Sequence, residues 1–307
     1  MRFRHLVLGL AALGSLHCGS QTPASPTPDL PPIAAPADPT PSDPPVTLST
    51  PPFDPNVIVG AGDIADCAPN AEATARLLDS IGGTVITLGD NAYPRGTAEE
   101  FRICYEPTWG RHKARTRPSP GNHDYESPGA APYYDYFGAS AGLPGEGYYS
   151  YQVGSWLVLS LNSNANIEAQ VKWLNDLFDR ETPLCTLAYF HHPRYSSGPG
   201  DKVTAAYRLW DTLYRRGADV VLSGHDHLYE RLAPQDERGQ RDPDRGMRQF
   251  VVGTGGGELD VPQDIERNSE RLIADFGVLK MTLSSGGYQW DYVAVSGPSD
   301  SGSGRCH

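Results

Sequence analysis

The stretch Val220 to Arg231 reads VVLSGHDHLYER, and its reading decides the fold because it joins a buried strand to two metal-capable side chains. An apolar run short enough for one strand ends at Gly224, and His225 and His227 follow with Asp226 between them. In extended backbone, residues two apart point to the same side, so both imidazoles can face one site; imidazole suits Zn, Fe, Mn and Cu. Taken alone, the pattern reads equally well as a loop of solvated histidines. The decision rests on whether other strands end in ligands.

Working outward, four further segments do. The apolar run 57–60 ends in Gly62-Asp63-Ile64, and the run 84–88 ends in Gly89-Asp90-Asn91-Ala92-Tyr93. Residues 118–124 form a turn-rich segment, Pro118-Ser119-Pro120-Gly121-Asn122-His123-Asp124, that excludes a helix interior. The apolar strand 185–190 ends in His191-His192-Pro193. Between them the spacing predicts helices over 70–80, capped by Asn70, and over 99–105, 169–180 and 204–216, the last closed by Gly217. The 169–180 helix carries Val171, Leu174, Leu177 and Phe178 on its buried stripe. An aromatic loop over 133–149 leads into a hairpin of 148–153 and 156–161, and further strands are expected at 248–252, 277–283 and 290–295.

Strands therefore alternate with helices, and the polar clusters recur at the carboxyl ends of the strands, the edge where open α/β sheets bind ligands. The rim gathers Asp63, Asp90, Asn122, His191, His225 and His227. Each signature alone is explained by a turn; five in order are not. Chemically the set suits two metal ions, because a carboxylate can bridge two cations roughly 3.5–4 Å apart while His, Asp and Asn complete their shells.

These blocks resemble the calcineurin-like metallophosphoesterases, and within them the purple acid phosphatases. The matching residues are Gly62-Asp63, Gly89-Asp90-Asn91-Ala92-Tyr93, Gly121-Asn122-His123-Asp124, Phe190-His191 and Gly224-His225-Asp226-His227. The resemblance implies a four-layer α/β/β/α sandwich with its metal site at the carboxyl ends of the strands. It implies that Asp90 bridges two metals, that Asp63, Tyr93 and His227 complete one shell, and that Asn122, His191 and His225 complete the other. His123 is then a catalytic group that touches the phosphoryl oxygen or leaving group, with a metal-bound hydroxide as nucleophile, and His192, at a variable position, is a substrate contact. A phenol ionises near neutrality only beside a strong Lewis acid, so Tyr93 favours Fe(III), with Zn, Mn or Fe(II) at the second position. Ala65 and Ala188 depart from the family pattern without removing a ligand. The larger members carry an amino-terminal β-sandwich where this chain has a proline-rich spacer, so the compact single-domain type is expected.

The expected activity is that of an exported binuclear-metal phosphoric ester hydrolase, a phosphomonoesterase. The alternatives are a phosphodiesterase or nucleotidase with the same metals, and a non-catalytic surface phosphate-binding protein. The substrate the resemblance implies is a phosphorylated small molecule or nucleotide. A net charge of −12 leaves no basic face for nucleic acid; the run Arg111, His112, Lys113, Arg115 and Arg117 reads as structural or solvated. Residues 1–18 read as a signal peptide ending in a lipoprotein-like Ser15-Leu16-His17-Cys18, so attachment to the outer surface of a bacterial membrane through lipidated Cys18 is expected, or else secretion to the periplasm or beyond. Residues 19–54 form a proline-dense spacer without the apolar content for a core, and 55–307 the catalytic domain. Four cysteines remain, and three pairings are open. Cys67 with Cys104 and Cys185 with Cys306 is favoured, because the first pair flanks the site and the second pins a Gly/Ser-rich terminus.

Overall fold

The computed structural model describes residues 51–307. The signal segment, Cys18 and most of the spacer lie outside the described residues. Eighteen elements follow in order: β1 (Val57–Ala61), α1 (Pro69–Asp79), β2 (Thr84–Leu88), α2 (Ala98–Glu100), β3 (Thr116–Ser119), α3 (Ala131–Phe137), β4 (Tyr149–Val153), β5 (Trp156–Ser160) and α4 (Ile167–Arg180). Then come β6 (Cys185–Tyr189), α5 (Thr204–Arg215), β7 (Val220–Ser223), β8 (Tyr229–Leu232), β9 (Arg248–Val252), β10 (Ser269–Ile273), β11 (Gly277–Ser284), β12 (Gly287–Ala294) and β13 (Asp300–Arg305), with short 3₁₀ and π turns between.

The strands form two sheets, β13-β12-β11-β1-β2-β3 and β10-β8-β9-β7-β6-β5-β4. In the first, β1, β2 and β3 run parallel; in the second, β5, β6, β7 and β9 do. Helices make the crossovers β1–β2, β5–β6 and β6–β7, whereas β7 reaches β9 through strand β8, and the carboxyl ends of each parallel block share one rim. Side-chain alternation separates the layers. Trp156, Val158, Leu187, Tyr189, Val220 and Leu222 belong to the core cluster that also holds β11 and β12 side chains of the first sheet. The intervening Leu157, Leu159, Ala188 and Val221 instead meet Leu174 and Leu177 of α4 and Leu209, Trp210 and Leu213 of α5. Between the sheets Tyr229 stacks on Tyr292 at 4.1 Å and Phe250 meets the edge of Trp290 at 5.5 Å. With α1 packed through Ala71, Ala75 and Leu78, the four-layer α/β/β/α sandwich is complete.

Several local expectations change. The α1 cap is Ala68, and Asn70 lies inside the first turn with its amide donating to Gly256 O at 3.4 Å; Pro69, pre-set for a first helical position, moved the start. The segment 118–124 opens as strand β3, where Pro118 is tolerated because β3 is an edge. The aromatic loop contains helix α3, whose Tyr133, Tyr134 and Phe137 are buried. Val171 and Phe178 are only half-buried, and Gln170 takes an inward position on α4. The basic run is structural: Arg111 pairs with Glu72 and Asp79, and Arg115 donates to the carbonyls of Leu78, Ile81 and Gly83 at the end of α1. Disulfides join Cys67 to Cys104 and Cys185 to Cys306.

Candidate metal centre

Asp63, Asp90 and Asn122 follow β1, β2 and β3; His191 follows β6, and His225 and His227 follow β7. The rim thus draws ligands from both sheets, and all seven sequence-predicted ligand residues converge there. They form two groups. In one, the Tyr93 hydroxyl lies 2.9 Å from Asp63 Oδ1, 3.1 Å from Asp90 Oδ2 and 3.1 Å from His227 Nε2. In the other, Asn122 Oδ1 lies 2.9 Å from His191 Nε2 and 3.1 Å from His225 Nδ1, and those two nitrogens are 3.3 Å apart. Asp90 Oδ2 belongs to both, because it is also 3.3 Å from His191 Nε2.

The remaining atoms of these side chains are occupied in ways that aim the others inward. His191 Nδ1 meets Leu88 O at 2.8 Å and His227 Nδ1 meets Glu258 O at 2.6 Å, so each ring gives its hydrogen to a carbonyl and turns an Nε2 lone pair to the centre. Asp63 Oδ2 accepts the His225 backbone N–H at 2.8 Å, and Asp90 Oδ1 accepts that of His123 at 2.8 Å. Around Asn122 Oδ1, acceptor atoms face one another across about 3 Å, an arrangement that a cation relieves; one ring nitrogen each of His191, His192 and His225 lie within 4.8 Å of one another, and, as a separate group, so do one ligand atom each of Asp63, Asp90 and His191. The donor set fits a pair of metal ions.

On the protein alone the rim's carboxylates and imidazoles hold one another in their charged forms, and a bound cation would displace the imidazole protons. Burial would depress His191 and His227, but Asp90 carries the first up to about 9 and Asp63 the second to about 10. Burial would raise Asp90, yet His191 and His123 hold it below the ordinary carboxylate range. Burial, then Asp63 and Asp90, push the Tyr93 phenol well up. His192, buried beside His191 and His225, falls to about 2.

His123 and His192 stand on either flank. His123 lies 4.6 Å from the Tyr93 ring, with Nδ1 on Pro94 O at 2.6 Å and Nε2 4.0 Å from Asp90 Oδ2. His192 lies 4.5 Å from the His225 ring, and it is 5% exposed. Sequence reasoning assigned no role to four supports. Asp124, raised to about 7 by burial and by Asp90, accepts Asn91 Nδ2 at 2.9 Å and Gly121 N at 2.8 Å, tying two ligand loops together. Asp260 accepts the His227 backbone N–H at 2.7 Å. Ser163 holds His192. The run Gly253-Thr254-Gly255-Gly256-Gly257 crosses from β9 to the first sheet, where Gly255 N and Gly257 N donate to Gly62 O and Asp63 O at 2.9 and 2.8 Å. Of these, the glycine cluster and Asp124, which closes the Gly121-Asn122-His123-Asp124 block, left a signal in the sequence.

Two stacked sheets whose strand ends pool Asp, Asn, His and Tyr around one shared carboxylate define a metallophosphoesterase. The family model for calcineurin-like phosphoesterase matches residues 49–229, and the chain belongs to that family. Among curated relatives, Purple acid phosphatase 15 of Arabidopsis thaliana is 27% identical over 259 residues, 68% of this chain and 46% of that protein. Purple acid phosphatase 18 of the same plant is 32% identical over 134 residues, 40% of this chain and 29% of that one. The chain thus spans less than half the length of these relatives. Among solved structures, the purple acid phosphatase PPD1 from yellow lupin seeds gives a TM-score of 0.64 at 19% identity, covering 81% of this chain and 53% of that one. GAP50, the anchor in the inner membrane complex of Plasmodium, gives 0.62 at 15%, covering 81% and 88%. Both share the fold.

Proposed function

We propose that the chain is an exported phosphoric ester hydrolase of the purple acid phosphatase type, working with two metal ions on phosphomonoesters. The observation that carries the reading is Asp90 Oδ2, common to the Tyr93 cluster at 3.1 Å and to the His191 cluster at 3.3 Å. In this reading Asp63, Tyr93 and His227 hold one ion, Asn122, His191 and His225 the other, and Asp90 both. Two such cations supply positive charge against a phosphoryl group and lower the pKa of a water. The raised phenol of Tyr93 yields its proton only to a strong Lewis acid, which favours Fe(III) there, with Zn, Mn or Fe(II) at the second position. His123, its Nδ1 fixed on Pro94 O, turns Nε2 to the cleft and gives the leaving alkoxide its proton. His192 contacts the substrate from the other flank.

Two disulfides suit an oxidising compartment. No described helix is long and apolar enough to cross a membrane. With a signal segment over 1–18, a spacer over 19–54 and the catalytic domain over 55–307, lipidated Cys18 tethers the domain to the outer face of a bacterial membrane.

Metal analysis with a visible spectrum tests the reading. Two ions per chain and a phenolate-to-iron band that Tyr93→Phe removes are expected. Asp90→Ala loses both ions and turnover together, whereas His123→Ala keeps the ions and loses about 10²–10⁴ in rate. Full turnover by chelated Asp90→Ala protein would sink it. A monoester is expected to outpace a diester and a nucleotide in steady-state comparison.

A further inference from the structure

We propose that Ser163 fixes His192 as its Nε2–H tautomer, and that this N–H donates to a non-bridging oxygen of the bound phosphate ester from the flank opposite His123. The proposal rests on the two-metal reading above and names how one side of that site grips its substrate.

Ser163 follows β5, the strand beside β6, so it stands next to the His191-His192 turn on the rim. Its hydroxyl oxygen accepts the His192 backbone N–H at 3.1 Å and lies 2.8 Å from His192 Nδ1. The hydroxyl is buried and makes no other hydrogen bond among the described residues, so its own hydrogen has one acceptor available, the Nδ1 lone pair. Protonated Nδ1 would strand that buried hydroxyl hydrogen without an acceptor, which a buried site disfavours. A neutral ring accepting at Nδ1 carries its hydrogen on Nε2, and no protein group takes it.

Comparison with the other rim histidines gives the role. His191 and His227 place Nδ1 against carbonyls, which accept, so their Nε2 atoms are bare and can ligate. His192 places Nδ1 against a hydroxyl that donates, so its Nε2 bears hydrogen and cannot ligate, although the ring is only 4.9 Å from His191 and 4.5 Å from His225. His123 follows the carbonyl pattern, through Pro94 O, and keeps Nε2 free to gain and lose a proton. The two non-ligand histidines therefore divide the work: His123 carries a proton, and His192 is a fixed donor to phosphoryl charge.

The support for Ser163 is rigid. Buried Gln170 accepts Asn162 N at 2.9 Å and donates to Asn162 O at 2.7 Å, and Asn164 Nδ2 donates to Pro120 O at 3.1 Å. Ser163 is thus a positioning residue, held from both sides.

Two measurements test this. The first titrates inorganic phosphate into metal-loaded protein by calorimetry, with metal content read in parallel. His192→Ala should raise the phosphate Kd about tenfold or more, the loss of one hydrogen bond to a charged group. His192→Gln, whose amide N–H reaches the same region, should keep most of the affinity; Ser163→Ala should weaken it and Ser163→Thr restore it, all with two ions bound. The second reads ring nitrogen shifts of His192 in wild-type protein, expected to show unprotonated Nδ1, with mixed tautomers in Ser163→Ala. Loss of one ion in His192→Ala would make His192 a ligand and overturn the proposal, as would unchanged phosphate affinity or a protonated Nδ1 in the wild type. If the wild type takes up no metal, the two-metal reading falls first and this one with it. Should His192→Ala not fold, the wild-type tautomer still decides.

Discussion

Asp63, Asp90 and His225 adopt left-handed backbone, with φ of 61°, 48° and 71°. For ordinary L residues that conformation costs roughly 1–2 kcal/mol each, and it persists because each carboxylate spends one oxygen on a neighbouring loop and turns the other to the centre. Space is equally constrained. A Cβ on Gly121 would lie 2.1 Å from Asp90 Oδ1, and one on Gly89 2.4 Å from His191 Nδ1. Gly121→Ala should therefore displace the shared carboxylate and lose metal while the sheets still form, as metal analysis beside far-UV circular dichroism will show. Asp124→Ala strands the amides of Asn91 and Gly121. It should lower stability by roughly 2–4 kcal/mol in urea unfolding, since each buried unpaired donor costs about 1–3 kcal/mol.

At the scale of elements, β13 shows how a Gly/Ser-rich segment earns a place in a sheet. Its residues, DSGSGR, carry little strand propensity and only pair with β12. What holds it is Asp300, which accepts Tyr229 Oη at 2.7 Å, Arg231 Nε at 2.8 Å and Trp290 Nε1 at 3.1 Å. Burial would raise this carboxyl, but the bonds from Arg231 and Tyr229 outweigh it and hold the pKa below the usual 3.8. A carboxyl depressed in the folded state contributes stability that is present above its unfolded pKa and lost as pH falls through the folded one. Asp300→Asn should then be less stable than wild type at pH 6, with the gap closing below pH about 4; a gap independent of pH in urea unfolding would contradict this.

At the scale of the molecule, the centre joins the two sheets: Asp63, Asp90, Tyr93 and Asn122 come from the first, and His191, His225 and His227 from the second. Ions bound there would act as cross-links, stabilising the folded chain by RT ln(1 + [L]/Kd). Chelation should lower Tm and re-addition of metal restore it, whereas a Tm indifferent to chelator would separate the fold from the centre. The disulfides close loops of very different span, 37 residues for Cys67–Cys104 and 121 for Cys185–Cys306. The second ties the segment after β13 to the start of β6, and His307 N donates to Asp219 Oδ1, just before β7, at 2.9 Å. Loss of chain entropy puts their contributions at about 4 and about 5 kcal/mol, so the Cys185→Ser/Cys306→Ser pair should cost more in Tm than the Cys67→Ser/Cys104→Ser pair.

The sequence by itself determined the parallel strands other than β3 and the order of their polar ends, because buried strands are short apolar runs and Gly-Asp, Asn-His and His-x-His punctuate them with their own residue types. It also narrowed the cysteine pairs and marked Asp63, Asp90, Tyr93, Asn122, His191, His225 and His227, which the fold brings to one rim. Weakly patterned pieces were not legible: β3 hides behind Pro118, β8 (YERL) and β10 (SERLI) carry charged residues among few apolar ones, and α3 is dense in tyrosine whose burial no period announces. Nor were the supports. Glu258 O and Leu88 O orient imidazoles as backbone carbonyls, which every residue carries alike; Asp260 and Ser163 act on partners about 30 residues away in sequence, and Asp124, although inside a legible block, showed no role there because its partner Asn91 is equally distant. Which nitrogen of each ring faces the centre was decided only in the tertiary structure, because it follows from the neighbour that meets the other nitrogen, and chain order does not name that neighbour.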